Sequence, residues 1–246
     1  MRPLNTMELL DLWQAGSRQP LIEKTLRLIG AACDSPSVSE MARLSIGERD
    51  LRLLQLREWI FGPQLHNIAY CPHCSELTEW DARLDDLRLQ AARPEGSGPV
   101  FDCSIEGYQL QFRLPNSEDL YARLPDGGTS ADPKQLLSGC ILSLQQNERA
   151  CLPEELPDTV FDSLARHIEK EDPQADIRIE VQCPACAHSW ELVFDIIPYL
   201  WAEIDAWARR TLEEVYLLAR HFSWSEQEIL TMSPQRRQLY IHLLPS

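Results

Sequence analysis

Two copies of a Cys-Pro-x-Cys motif constrain the fold of this chain more than any other feature of its sequence. The first copy occupies residues 71–74 and the second residues 183–186, and a tryptophan follows each, at Trp80 and Trp190. Two such motifs supply four thiolates, the complete tetrahedral ligand set of a structural Zn²⁺. The predicted ligands of one zinc ion per chain are Cys71, Cys74, Cys183 and Cys186.

A single metal bound by both motifs would join segments that lie more than a hundred residues apart in the sequence. The residues between the motifs would then form an insertion that the metal site closes. Because four thiolates leave no coordination position open for water or substrate, we expect a structural site and not a metalloenzyme.

Other interpretations of the two motifs stay open. The four cysteines could form two disulfides, or a motif could be a redox pair, although a redox Cys-x-x-Cys normally occurs once and opens a helix after a strand. His73 in the first motif, or His188 beside the second, could replace one thiolate. The remaining cysteines lack ligand spacing and are expected to be buried thiols: Cys33, Cys103, Cys140 and Cys151.

Charge and hydropathy exclude several classes of function. The chain has 246 residues and a net charge of -15, which disfavours nucleic acid as a partner because phosphate neutralisation needs clustered Lys and Arg. The N-terminus lacks a signal-peptide pattern and no apolar run is long enough to span a bilayer, so we expect a cytoplasmic protein that does not enter a membrane. No phosphate loop, nucleophile elbow or His-Glu-x-x-His motif occurs, so we predict no enzyme activity and no small-molecule substrate.

Helical periodicity predicts that residues 1–65 are mainly helical, with helices beginning near Asn5 and Ser45. The charged residues of the helix that follows Ser45 are expected to form a solvated face: Arg49, Asp50, Arg52, Arg57 and Glu58. The acidic cluster Glu169, Glu171 and Asp172 is likewise expected to be a solvated helix end.

The middle of the chain is predicted to contain strands. Apolar residues alternate on both sides of Glu106-Gly107, which predicts a β-hairpin over residues 101–113. The other predicted elements are strands at 87–90, 177–182 and 190–194, helices at 116–124, 133–147 and 157–170, and loops at 34–37, 93–99 and 125–133.

The last fifty residues are predicted to be helical. A long amphipathic helix from Pro198 to Phe222 carries an aromatic stripe that is typical of core packing, although it could also bind a partner helix. Two short helices follow, capped at Ser225 and Ser233. The candidate partner-binding residues of this region are Trp201, Trp207, Trp224, Arg236, Arg237 and Tyr240.

These patterns together predict an α+β protein with a split zinc ribbon built from the two Cys-Pro-x-Cys knuckles. The predicted domains are an N-terminal helical region (1–65), a zinc-ribbon region with an inserted hairpin and helices (66–195), and a C-terminal helical region (196–246).

Several blocks of the sequence, taken in order, resemble a known family. They are residues 47–63, the first Cys-Pro-x-Cys, residues 112–120, residues 172–176, the second Cys-Pro-x-Cys with His188 and Trp190, and a tail over residues 201–240. This order is similar to that of the baseplate hub assembly chaperones, which occur with contractile phage tails and phage-tail-like contractile injection systems. The resemblance covers about residues 44–244.

The resemblance implies a non-enzymatic assembly factor that acts on baseplate hub or wedge proteins, in the cytoplasm or on the particle. A rigid metal-clasped body with an acidic surface would suit docking on a basic partner patch. A structural subunit retained in the particle is the main alternative. A zinc- or thiol-dependent enzyme and a nucleic-acid-binding protein are further alternatives.

Overall fold

The structure is a computed structural model that describes residues 1–33, 37–89, 100–121 and 132–244. It is a mixed α+β protein, as the sequence predicted. The chain divides into two compact units, one formed by Met1–Val38 with Ile196–Ser246 and the other by Ser39–Asp195. The division into three domains stays a prediction.

The described residues form ten α-helices, eight strands and three short 3-10 helices. The helices are α1 (Thr6–Ala15), α2 (Leu21–Ala32), α3 (Val38–Ala42), α4 (Ile46–Phe61), α5 (Ser117–Tyr121), α6 (Pro133–Ser138), α7 (Asp158–Glu171), α8 (Ile196–Phe222), α9 (Glu226–Leu230) and α10 (Pro234–His242). The strands are β1 (Gln64–Tyr70), β2 (Leu77–Arg83), β3 (Val100–Ile105), β4 (Tyr108–Arg113), β5 (Ile141–Gln146), β6 (Arg149–Ala150), β7 (Ile177–Gln182) and β8 (Ser189–Phe194). Short 3-10 helices occupy Leu84–Leu87, Pro153–Glu155 and Pro173–Ala175.

In the described part of the first unit, α1, α2 and α8–α10 supply all the regular structure. Leu10 of α1, Ala208 of α8 and Leu230 of α9 form one buried apolar cluster. The capping box predicted at the start of α1 is present, since the backbone N–H of Glu8 donates to the Asn5 side chain and the Glu8 carboxylate accepts from the Asn5 backbone N–H, both at 2.9 Å. Local capping therefore fixes where α1 begins.

The second unit contains a four-stranded antiparallel sheet in the order β3-β4-β5-β6. One face of this sheet packs on α7 in a core that includes Ile105, Leu110, Phe112, Leu144, Val160, Phe161, Leu164 and Ile168. The predicted hairpin over residues 101–113 is confirmed, with Glu106 and Gly107 at positive φ (51° and 85°) in its turn. Such a turn matches the twist of the two strands that it joins.

The same unit contains two further hairpins, β1–β2 and β7–β8, each a separate two-stranded antiparallel sheet. Tyr70 pairs with Leu77 at the end of the first, and Gln182 pairs with Ser189 at the end of the second. Each hairpin therefore ends in a loop that carries one Cys-Pro-x-Cys motif.

Two predicted elements are wrong. The helix predicted over 133–147 ends at Ser138, and Ile141–Gln146 is instead strand β5, because pairing with β4 and burial of Leu144 outweigh a local periodicity that fits either structure. The strand predicted at 87–90 does not form over its described residues, since Leu87 ends a 3-10 helix.

Some predictions fall on residues that the structure does not describe. They are the loop at 93–99, residues 34–36 and 125–131 of the two other predicted loops, Gln90, and residues 122–124 of the helix predicted at 116–124.

Among the described residues, no helix has both the length and the apolar character that crossing a bilayer requires.

Candidate metal centre

The four cysteines predicted as zinc ligands lie together in the second unit. Their sulfur atoms are all within 4.8 Å of one another. The Sγ atoms of Cys71 and Cys186 are 3.7 Å apart, and those of Cys74 and Cys183 are 3.5 Å apart. Tetrahedral Zn²⁺ with Zn–S bonds of about 2.3 Å separates its sulfur ligands by about 3.8 Å, so the cluster has dimensions that fit the ion.

The two knuckles have the same backbone hydrogen bonds. In the first, the N–H of Cys71 donates to the carbonyl of Glu76 at 2.9 Å and the N–H of Ser75 donates to the carbonyl of Cys71 at 2.9 Å. In the second, the N–H of Cys183 donates to the carbonyl of His188 at 2.9 Å, and the N–H of Ala187 donates to the carbonyl of Cys183 at 3.0 Å. Duplicate sequence motifs therefore fold into duplicate turns, and each turn brings its two thiols toward the pair on the other hairpin.

Both turns require a left-handed residue directly after their second cysteine. Ser75 has φ of 61° and Ala187 has φ of 57°. Glycine adopts this region without a steric penalty, whereas a side chain makes it costly. The turns are therefore held in place against a local conformational preference.

None of the eight cysteines, all of which lie in the described part of the chain, forms a disulfide, and the sulfur separations of 3.5 and 3.7 Å are well beyond the roughly 2.05 Å of such a bond. Cys71 and Cys183 are buried, whereas Cys74 is exposed. This geometry supports the metal interpretation of the motifs over two disulfides.

Backbone donors at the second knuckle favour a thiolate. Burial opposes ionisation of Cys183, but N–H groups of Cys186 and Ala185 and the Cys74 thiol lower its pKa to about 7. At Cys74 the N–H of Glu76 also favours the thiolate, yet hydrogen bonds with the neighbouring thiols, Cys186 foremost, raise the pKa to about 12. A divalent cation bound by the four sulfurs would favour the ionised form of the thiols.

The two histidines near the knuckles stack beside the cluster. The ring centroids of His73 and His188 are 5.6 Å apart, and those of His188 and Trp190 are 6.2 Å apart. The metal-ligand cluster among the described residues consists of the four cysteines.

The other four cysteines, all expected to be buried, differ in their burial. Cys140 is fully buried, while Cys33, Cys103 and Cys151 are half-buried. Burial, with a contribution from Asp102, raises the pKa of Cys103. A reactive cysteine needs the opposite shift, so this thiol lacks the electrostatic setting of a catalytic one.

A buried polar junction, formed by α4, α5 and the 3-10 helix Pro173–Ala175, corrects two sequence-based expectations. Arg49, Asp50 and Arg57 are 4, 8 and 2% exposed, so they are not part of a solvated face. Asp172, expected at a solvated helix end, is 8% exposed, and its carboxylate accepts from the Gly47 N–H at 3.0 Å.

The junction connects segments that are distant in sequence. Arg49 donates to Asp50 at 2.7 Å and to Ser117 at 3.2 Å. The Gln174 side chain donates to the Leu87 carbonyl at 3.0 Å and accepts from the Leu89 N–H at 2.8 Å. Three of the sequence blocks that carried the family resemblance therefore meet here, and their polar residues hold the unit together.

A sequence signal for this burial existed. Arg49, Asp50 and Arg57 continue the three- and four-residue spacing of the buried Leu53 and Leu54 along α4. Charged residues on the apolar stripe of a helix indicate a paired, buried set rather than a solvated face.

The candidate partner-binding residues all lie in the first unit. Trp201 is 5% exposed, its indole donates to Thr25 at 2.8 Å, and Lys24 lies 4.5 Å from its ring centroid. Trp207 is half-buried and packs against the cluster of Leu10, Ala208 and Leu230.

The remaining candidates surround α10. Arg237 is 1% exposed and donates to Glu214 at 2.7 Å and to the Met232 carbonyl at 3.0 Å. The half-buried rings of Trp224 and Tyr240 lie 4.8 Å apart, and the exposed Arg236 lies 5.7 Å from the Tyr240 ring centroid. Partner binding by these residues stays a prediction.

Comparison with protein families gives a match over most of the chain. The model of the family described as T4 bacteriophage base plate protein matches residues 1–199 of this chain. The chain belongs to this family. The match includes the first 43 residues, which the resemblance seen in the sequence left out, and both Cys-Pro-x-Cys motifs.

No match was found among curated proteins, and none among solved structures. Family membership supports a baseplate-related structural or assembly role, with other baseplate proteins as partners, and suggests a non-enzyme.

Proposed function

We propose that this protein is a non-enzymatic assembly factor for the baseplate hub of a contractile phage tail or a phage-tail-like contractile injection system. The observation that carries the proposal is the baseplate family match over residues 1–199. The order of sequence blocks that resembles the hub assembly chaperones supports the narrower role.

The proposed cofactor is one structural zinc ion per chain, held by Cys71, Cys74, Cys183 and Cys186. The sulfur spacing and the duplicate turns support this assignment. When bound, zinc would supply a closed, redox-inert cross-link between β1–β2 and β7–β8. A four-thiolate shell leaves no position for a substrate, which favours a scaffold over an enzyme.

The proposed partners are hub or wedge proteins of the same particle, met in the cytoplasm of the producing cell. The net charge of -15 favours partners with basic surfaces and disfavours nucleic acid.

Purified particles would separate the assembly factor from the retained subunit. Particles are purified from cells that produce the wild-type protein and from cells that lack it, and the proteins in the particles are quantified by mass spectrometry. An assembly factor is absent from wild-type particles, yet its deletion stops baseplate formation. A retained subunit is present at fixed stoichiometry, and that result would replace the chaperone role with the structural one.

A further inference from the structure

The first hairpin exposes an apolar outer face. Ile68 and Tyr70 of β1 are 70 and 71% exposed, and Leu77 of β2 is 40% exposed. Residues two apart on a strand share a face, and Tyr70 lies directly opposite Leu77, so the three side chains are neighbours on one face. The opposite face is buried at Leu65 and Asn67. We call Ile68, Tyr70 and Leu77 the tip patch.

The second hairpin provides an internal comparison. It has the same knuckle and the same pairing at its end, Gln182 with Ser189 in place of Tyr70 with Leu77. Counted from the cysteines, the positions equivalent to Ile68, Tyr70 and Leu77 hold Glu180, Gln182 and Ser189. A hairpin of this geometry therefore forms with polar residues at these three positions, so neither the fold nor metal binding accounts for the apolar residues of the tip patch.

Charge around the tip patch has one sign. Residues 64–82 contain no Lys or Arg, whereas Glu76, Glu79 and Asp81 are exposed. Glu79 lies directly opposite Ile68 in the register. The candidate positive groups of this stretch are two histidines, His66 and His73, and the His66 ring nitrogen lies 2.6 Å from the Asp81 carboxylate. An apolar centre with an acidic rim fits a partner whose apolar residues are flanked by basic ones.

We propose that the tip patch docks an apolar segment, flanked by Lys or Arg, of another baseplate protein. This proposal rests on the proposed function for the kind of partner. A second copy of this chain fits less well, because it would place a second set of carboxylates against Glu76, Glu79 and Asp81.

The test compares the wild type with two variants in binding to each purified hub and wedge protein of the same particle. The triple variant I68S/Y70S/L77S removes the tip patch. V193S is the matched control, since Val193 is 68% exposed on the outer face of the second hairpin. We expect V193S to bind like the wild type and the triple variant to bind at least about tenfold more weakly. Equal metal content and thermal unfolding of the three proteins verify that the fold is intact.

A charge test identifies the partner's chemistry. The variant E76K/E79K reverses two rim charges and should weaken binding, and the wild-type affinity should fall as salt rises. If E76K/E79K binds the partner with the same affinity as the wild type, the inference that the partner segment is flanked by basic residues is wrong.

The remaining outcomes separate this proposal from the proposed function. If the wild type binds a baseplate protein and the triple variant binds it equally well, the tip patch is overturned and the proposed function stands. If the wild type binds none of the hub and wedge proteins, the docking proposal and the proposed function are both overturned. Analytical sedimentation tests for a dimer. If the wild type is a dimer and the triple variant is a monomer, the tip patch binds a second copy of this chain, and the proposal is overturned.

Discussion

Gly47 and Asp172 approach each other so closely that no side chain fits between them. The Gly47 N–H donates to Oδ2 of Asp172 at 3.0 Å, and a Cβ on Gly47 would lie 1.9 Å from Oδ1. This contact joins the first turn of α4 to the C-terminal end of α7, 125 positions further along the chain.

Replacing Gly47 with alanine should therefore destabilise the protein by more than about 2 kcal/mol, because Asp172 is buried and cannot move away without losing its hydrogen bond. Chemical denaturation measures the effect. In the double variant G47A/D172A the clash is relieved, so the two losses should be clearly less than additive. If the stability losses of G47A and D172A are strictly additive in the double variant, a clash between residues 47 and 172 is not the cause of the G47A effect.

Asp50 should make stability depend on pH in an unusual direction. Burial raises the pKa of Asp50 to about 6, helped by the carboxylates of Asp195 and Asp172 and opposed by Arg49. The folded state then binds more protons than the unfolded state between pH of about 4 and about 6, so the stabilisation is present at low pH and is lost as pH rises through about 6.

The D50N variant provides the comparison, because asparagine does not titrate. Across this window the free energy of unfolding of the wild type should fall by about 1–3 kcal/mol relative to D50N. Denaturant titrations at several pH values measure it, and a pH-independent difference would mean that Asp50 is solvated.

Loss of one thiol should remove the metal. C71S is expected not to bind the proposed zinc ion and to lose at least about 3 kcal/mol of stability, because the binding energy of such a site is part of the folding energy. C151S is the matched control, since Cys151 is half-buried and outside the cluster. Native mass spectrometry with and without a chelator measures the metal. A C71S protein that keeps one zinc per chain would exclude this ligand set.

The knuckle turns should gain stability from glycine. A187G relieves the left-handed strain at φ of 57° and is expected to stabilise the metal-bound protein by about 0.5–1 kcal/mol. A185G makes the same change two residues earlier, where no such strain exists, and should destabilise by a similar amount. Thermal unfolding distinguishes them, and equal destabilisation by both variants would argue against strain in the turn.

Arg236 and Arg237 are adjacent but should respond differently to alanine. Arg237 is buried against Glu214 and the Met232 carbonyl, so R237A should cost about 2–4 kcal/mol by leaving these groups unpaired. R236A, at an exposed position, should cost less than about 1 kcal/mol. If R237A were as stable as R236A, the buried ion pair would not contribute. R236A is therefore the variant with which to test partner binding at α10.

The sequence by itself determined the features that are encoded locally. The cysteine spacing within each motif fixes the duplicate knuckles, the polar caps fix the starts of α1, α4, α9 and α10, and alternation around Glu106-Gly107 fixes the β3–β4 hairpin. Each of these depends on residues a few positions apart, so no knowledge of the rest of the fold was needed.

Only the tertiary structure decided which groups the buried charges contact and where long-range pairing overrides local preference. The spacing of Arg49 and Asp50 places them on the apolar stripe of α4, but Ser117 and Asp172, which lie beside them, belong to chain segments far away in sequence. Residues 141–146 form a strand because β4 offers a hydrogen-bonded edge, although their spacing also fits a helix. The partners of a buried charge or of a strand edge come from distant segments, and a local pattern does not identify them.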